Sequence, residues 1–259
     1  MILRRVVNVI WPPALFGALF VVAWELVVKG FDLKPYFLPS PSSIGEAFVD
    51  NIRLVKSAAF VSGGNALVGL IAGTLLGIAV SFLLMRFRVL NELATPLAIA
   101  LNAVPIIVLV SIFNNMFSSG TEIPRRLMVT LTVFFIVLVN VAKGLRQVHS
   151  THLELLRSYA ATPREVLIKA RIPNALPHLF TSLKIAAPAS VITAFVAEYF
   201  GGSQNGLGSR ITSNVANSRN AVAWAYVFGA CLLGLTFYLI SIALERVSTH
   251  NRGIAPRGA

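Results

Sequence analysis

Six apolar stretches recur along this chain of 259 residues, each near the length an α-helix needs to cross a lipid bilayer. A crossing takes about 20 residues, because the hydrocarbon core is about 30 Å thick and each residue rises about 1.5 Å. Helices satisfy their own backbone hydrogen bonds there, where no water can. The stretches run from about 13 to 28, 58 to 85, 90 to 113, 127 to 142, 183 to 200 and 222 to 244. Only 12% of the residues are charged and 56% are hydrophobic, whereas a soluble domain needs about a quarter charged to cover its surface. The expectation is an all-α membrane protein of six transmembrane helices, a single domain over residues 1–259 without linker, repeat or low-complexity tract.

Details within the stretches refine this reading. Arg4 and Arg5 precede the first one and no small-residue cleavage site follows it, which predicts a retained signal-anchor helix. Pro12 and Pro13 suit its first turn, and Glu25 near its far end can snorkel to the interface. In the second stretch Gly69, Gly73 and Gly77 form a doubled small-xxx-small face for close helix packing. The third is interrupted by Pro96 and Pro105, and the fifth by Pro188, which frees a carbonyl and belongs beside protein or a wet cavity.

The net charge of +12 raises nucleic acid as a partner, but no basic run is interleaved with aromatics, and the charges fall between apolar stretches. They set topology instead. The larger share falls inside if both termini are cytoplasmic, chiefly through Lys143, Arg146, Arg157, Arg164, Lys169, Arg171 and Lys184. The lone Cys231 excludes an internal disulfide and reads as an inert thiol in an apolar run. On the outer side, Leu38-Pro39-Ser40-Pro41 reads as a stiff extended brace. The segment 201–220, rich in Gly, Asn and Ser, is either a mobile contact surface or a solvated connector, the commoner case.

The long inner loop, about 146 to 182, is too patterned for a passive link. Thr162-Pro163-Arg164-Glu165 is a capping-box pattern, with Pro163 at the first helical position. It divides the loop into two short helices that meet near Ala160 and Ala161. The first, about 151 to 160, spaces Leu153, Leu156 and Tyr159-Ala160 as an apolar stripe, with Glu154, Arg157 and Ser158 on other faces. The second carries Val166, Leu167 and Ala170 and is expected to end by Pro173. Such an element either lies in the membrane interface or docks into a groove on another protein; docking is the sharper reading.

The loop resembles the EAA-x3-G-x9-I-x-LP signature of binding-protein-dependent ABC transporter permeases. Its Glu falls on Glu154, its glycine on Ala160 and its Leu-Pro on Ile172-Pro173; Leu155-Leu156 stand for the two alanines and Ala170 for the isoleucine. Leu38-Pro39-Ser40-Pro41, Asn102-Ala103-Val104-Pro105, and Glu198 followed by Gly206-Leu207-Gly208 are similar in content and order to the nitrate/sulfonate/taurine branch, over about residues 10 to 250. The resemblance implies a type I importer permease of a bacterial inner membrane, not itself an enzyme. ATP and Mg would belong to a separate ATPase subunit, docked through Glu154, Leu156, Arg157, Tyr159, Ala160, Thr162, Glu165 and Pro173. An extracytoplasmic solute-binding protein and a second permease copy would complete the assembly. Alanine at position 160 bears a steric penalty if the family's turn is kept there. Relatives of this branch carry nitrate, alkanesulfonates, taurine, thiamine-precursor pyrimidines or flavins.

The residues themselves agree with a non-catalytic chain. There is no G-x-x-x-x-G-K-[ST], H-E-x-x-H or C-x-x-C, and His149 and His152 lack companions for a metal. Polar groups within apolar stretches default to function unless paired. Asn102, Asn140 and Glu198 are the translocation-path candidates; interhelical bonding is the other reading for the asparagines, Asn65 included, and a bond to the outer loop for Glu198. The rival from another class, a stand-alone channel or ion-coupled carrier, needs acidic residues within the membrane, and only Glu25 and Glu198 approach that.

Overall fold

The structure, a computed structural model, describes residues 2–86, 106–117, 120–201 and 205–250. Its helices are α1 (Ile2–Gly30), α2 (Pro41–Asp50), α3 (Ile52–Arg86), α4 (Ile106–Phe117), α5 (Ile123–Arg146) and α6 (Ser150–Ser158). They continue with α7 (Pro163–Val166), α8 (Ile172–Tyr199), α9 (Leu207–Ala216) and α10 (Asn220–His250). Among the described residues five helices are long and apolar enough to cross a membrane: 11–30, 52–85, 123–146, 163–199 and 220–248. The expected third crossing, with Pro96, Asn102 and Pro105, lies mostly outside the described residues; α4 is its described end.

The core forms around α5. Its valines Val129, Val133, Val137 and Val141 recur every four residues on one face and are buried. That face meets α3 at Gly69, Gly73 and Gly77. A methyl added at Gly73 would come within 2.7 Å of Val133, and one at Gly77 within 2.9 Å of Val137, so only hydrogen lets the backbones approach. Gly69 sits in the same way against Val129. The contacts climb both helices together, so α3 and α5 run parallel. On its other side α5 packs on α8, crossing where Gly144 meets Ala175 and His178.

Three sequence expectations need correction. Pro12 and Pro13 lie inside α1, which starts earlier, although they do open its apolar span at Trp11. The second loop helix does not stop at Pro173. It runs from Pro163 to Tyr199 through a wider turn at Leu167–Arg171, where the Ile172 amide donates to the Leu167 carbonyl five residues back. A proline ring collides with the carbonyl four residues earlier, and the widened turn just before Pro173 relieves that collision. Finally, both segments expected to be outer loops hold helices. Ser40 caps α2, with Pro41 at its first position, and Glu25 accepts from the Ser42 amide (3.0 Å) and hydroxyl (2.8 Å). Segment 201–220 contains α9, whose Leu207, Gly208, Ser209 and Ile211 are buried, so it is not a solvated connector.

Candidate functional site

At one end of the bundle α6 projects from two fixed posts. The first post is the end of α5, whose Gly144 and Gln147 carbonyls accept from the Asn174 amide at 2.7 and 3.2 Å. The second is the start of α7, where the capping box forms as its spacing predicts. Thr162 accepts from the Glu165 amide, and Glu165 accepts from the Thr162 amide and hydroxyl at 2.9 Å.

The turn between α6 and α7 is made by Ala160 at φ +53°. The Ala160 amide donates to the Arg157 carbonyl (2.9 Å) and the Ala161 amide to that of Leu156 (3.0 Å). This pair of bonds is the Schellman ending, whose left-handed residue is usually glycine. The steric expectation is met: alanine holds the turn, at a cost of about 1–2 kcal/mol relative to an ordinary backbone conformation.

No residue of α6 is buried. Glu154 and Arg157 are exposed, and Leu153 and Leu156 are half-buried. The most exposed apolar side chains are Leu155 and Tyr159, one turn apart, with Ile168 and Ile172 beyond the turn. Exposed hydrophobic groups on a helix held at both ends make a surface suited to a groove in another protein. Leu155 is absent from the stripe inferred from spacing; its i, i+4 relation to Tyr159 was the available signal.

The opposite end is built from buried charge. Glu198, on α8, is only 2% exposed. Its Oε2 accepts from the Ser62 hydroxyl of α3 (2.6 Å) and from the Gly208 amide at the start of α9 (3.2 Å), and Ser62 Oγ in turn accepts from the Leu207 amide (2.9 Å). A carboxylate at a helix N-terminus is favoured by the amides and the dipole there. The two glycines make room for it: a methyl at Gly206 would lie 2.5 Å from Glu198 Oε1, and one at Gly208 would lie 2.8 Å from the Tyr199 backbone nitrogen.

Beside this cap, Glu122 binds the buried Arg125 and accepts from the Asn65 amide (2.6 Å), while Asn65 Oδ1 accepts from Arg126 Nε (3.1 Å). Glu122 and Arg125 stand three residues apart at the start of α5, a pairing readable in the sequence although both arginines looked like loop charges. Asn140 is half-buried and donates to the Ile136 carbonyl of its own helix at 2.8 Å. Asn102 lies outside the described residues. Thus Glu198 and Asn65 come together in one buried cluster, and Asn140 stands apart from it.

A family model described as binding-protein-dependent transport system inner membrane component matches residues 69–250. The formylaminopyrimidine transport permease protein ThiX of Halalkalibacterium halodurans is 31% identical, over 91% of this chain and 93% of its own length. The taurine transport system permease protein TauC of Escherichia coli is 24% identical, over 88% of this chain and 84% of its own. A solved structure of the MetNI methionine ABC transporter in an inward-facing conformation superposes with a TM-score of 0.59 at 19% identity, covering 74% of this chain and 96% of the solved one.

Proposed function

The chain belongs to the family of binding-protein-dependent transport system inner membrane components, and on that premise we propose that α6, with the turn at Ala160 and the start of α7, is the element gripped by the importer's ATPase. The protein is a permease subunit of a type I ABC importer and a multi-pass inner-membrane protein. In the proposed assembly ATP and Mg reside in the ATPase, a binding protein delivers solute to the α9 end, and a second copy completes the pathway.

The observation that carries this reading is the projecting helix itself: α6 exposes Leu155 and Tyr159, yet both its ends are tied to spans. Force applied to α6 would pass directly into α5 and into the continuous helix from Pro163 to Tyr199. Glu154 and Arg157 supply polar contacts at the rim, with Leu156 packed beneath. The α6 end is then cytoplasmic. The parallel course of α3 and α5 supports a sixth crossing between them, since the chain joining two parallel spans has to return across the membrane. Both termini are then cytoplasmic, in keeping with the bias of basic residues.

For the solute, the 31% identity to a formylaminopyrimidine permease favours a small polar heteroaromatic compound of that kind over a sulfonate such as taurine. The test is reconstitution of wild type, Leu155→Asp and Arg157→Glu with the cognate ATPase and binding protein. Both variants are expected to insert normally and to lose at least tenfold in uptake per ATP hydrolysed. Full coupling in both would overturn the docking role, and ATP-independent uptake by wild type would favour a stand-alone carrier.

A further inference from the structure

At the α6 end of the bundle a cavity of about 280 Å³ opens between the end of α3 and the last two turns of α5. It is lined by Leu84, Leu138, Val139 and Ala142 and rimmed by Lys143, Arg146 and Gln147. The lining changes character along α5 in one step. From Leu138 to Arg146 the helix rises about 12 Å, enough to pass from hydrocarbon into the headgroup layer. A bilayer whose hydrocarbon ends near Ala142 sets the apolar wall at acyl-chain depth and the two cations at headgroup depth.

We infer that this cavity is a binding site for one anionic phospholipid, its phosphate held by Lys143 and Arg146 and the first part of its acyl chains laid against Leu138, Val139 and Ala142. Three observations select this occupant. The lining joins apolar and cationic surface over the distance at which a phospholipid does the same. No carboxylate is among the described lining residues, so a zwitterionic headgroup would find no partner for its ammonium. Val139, on the wall, is exposed. Basic residues near a membrane surface each attract anionic lipid by about 1 kcal/mol, or roughly fivefold, so the pair is expected to give roughly thirtyfold selectivity. The site adjoins the post that carries α6, and its existence does not depend on α6 docking to an ATPase.

Native mass spectrometry of the solubilised chain, offered phosphatidylglycerol and phosphatidylcholine in equal amounts, tests this. Wild type is expected to retain one phosphatidylglycerol per chain. K143Q/R146Q is expected to bind it roughly thirtyfold more weakly, and the charge-conserving K143R/R146K to keep it. V139W, which fills the wall and leaves both charges, should also lose the lipid and serves if K143Q/R146Q fails to fold. Equal retention of both lipids by wild type, or unchanged retention in V139W, would overturn the inference. So would displacement of the lipid by millimolar inorganic phosphate, which would mark a free oxyanion site.

Discussion

Two turns in this protein pose the same question about glycine and answer it differently. At Ala160, between α6 and α7, the backbone is left-handed and exposed, and an alanine occupies it. At Gly206 and Gly208, before and within the first turn of α9, the backbone needs no positive φ, yet both residues are glycine and both are buried. The difference is between strain and collision. A left-handed alanine costs about 1–2 kcal/mol, which a turn tied by two hydrogen bonds and a capping box can hold. Asp32 and Ser218 hold left-handed helix ends in the same way. A methyl pressed on the Glu198 carboxylate or the Tyr199 backbone has no comparable escape, because the atoms it meets are themselves fixed. Exposure lets the chain tolerate the wrong residue; close packing does not.

The largest effect should come from the buried charges beside α9. Glu122→Ala removes the carboxylate shared by the buried Arg125 and by Asn65; losing one partner of a fully buried pair costs about 3–5 kcal/mol, and the half-buried Glu122 puts this pair at the low end, about 3 kcal/mol. Thermal unfolding of the solubilised variant should show a marked loss of stability, while removal of the exposed Glu154 should leave the midpoint almost unmoved. Comparable losses at both sites would break the contrast between the two ends.

Next in size is Gly208→Ala, a single methyl driven toward the Tyr199 nitrogen and the side chain of Glu198. Overpacking of this kind costs about 1–3 kcal/mol, and here it should also loosen α9. Amide hydrogen exchange should report faster opening of 207–216 with little change in α6. Unaltered protection of α9 would show that the glycine is dispensable.

The smallest effect carries the opposite sign. Ala160→Gly relieves about 1–2 kcal/mol of steric cost but restores about 0.5–1 kcal/mol of unfolded-chain freedom. The net gain is about 0.5–1 kcal/mol, confined to the α6–α7 turn. Slower amide exchange at Ala161 would reveal it; destabilisation would mean that the turn derives its stability from something other than its backbone bonds.

Much of the fold was legible because membranes simplify the problem. Length and hydropathy located the five spans among the described residues, Gly69, Gly73 and Gly77 announced a close helix contact, and Thr162 to Glu165 announced a helix start, all from local rules. The site was legible in part. Glu154, Arg157 and Tyr159 fell on an exposed helix, while the exposed Leu155 was left out of a stripe drawn through the half-buried Leu153 and Leu156. The helices α2 and α9 were missed because they are short and their sequences are rich in turn-forming residues. Both are held by a carboxylate from another helix, Glu25 for α2 and Glu198 for α9.

By itself, then, the sequence determined that this protein lives in a bilayer, crosses it repeatedly and carries a capped polar element between two spans. Those properties follow from transfer free energy and helix-end chemistry, which act over a few residues. Only the tertiary structure decided that α3 and α5 run parallel, that the helix through Pro173 continues into the membrane, and that Glu198 caps α9 with the help of Ser62. Each of these joins groups distant along the chain, and proximity of that kind is set by packing, which no local pattern encodes.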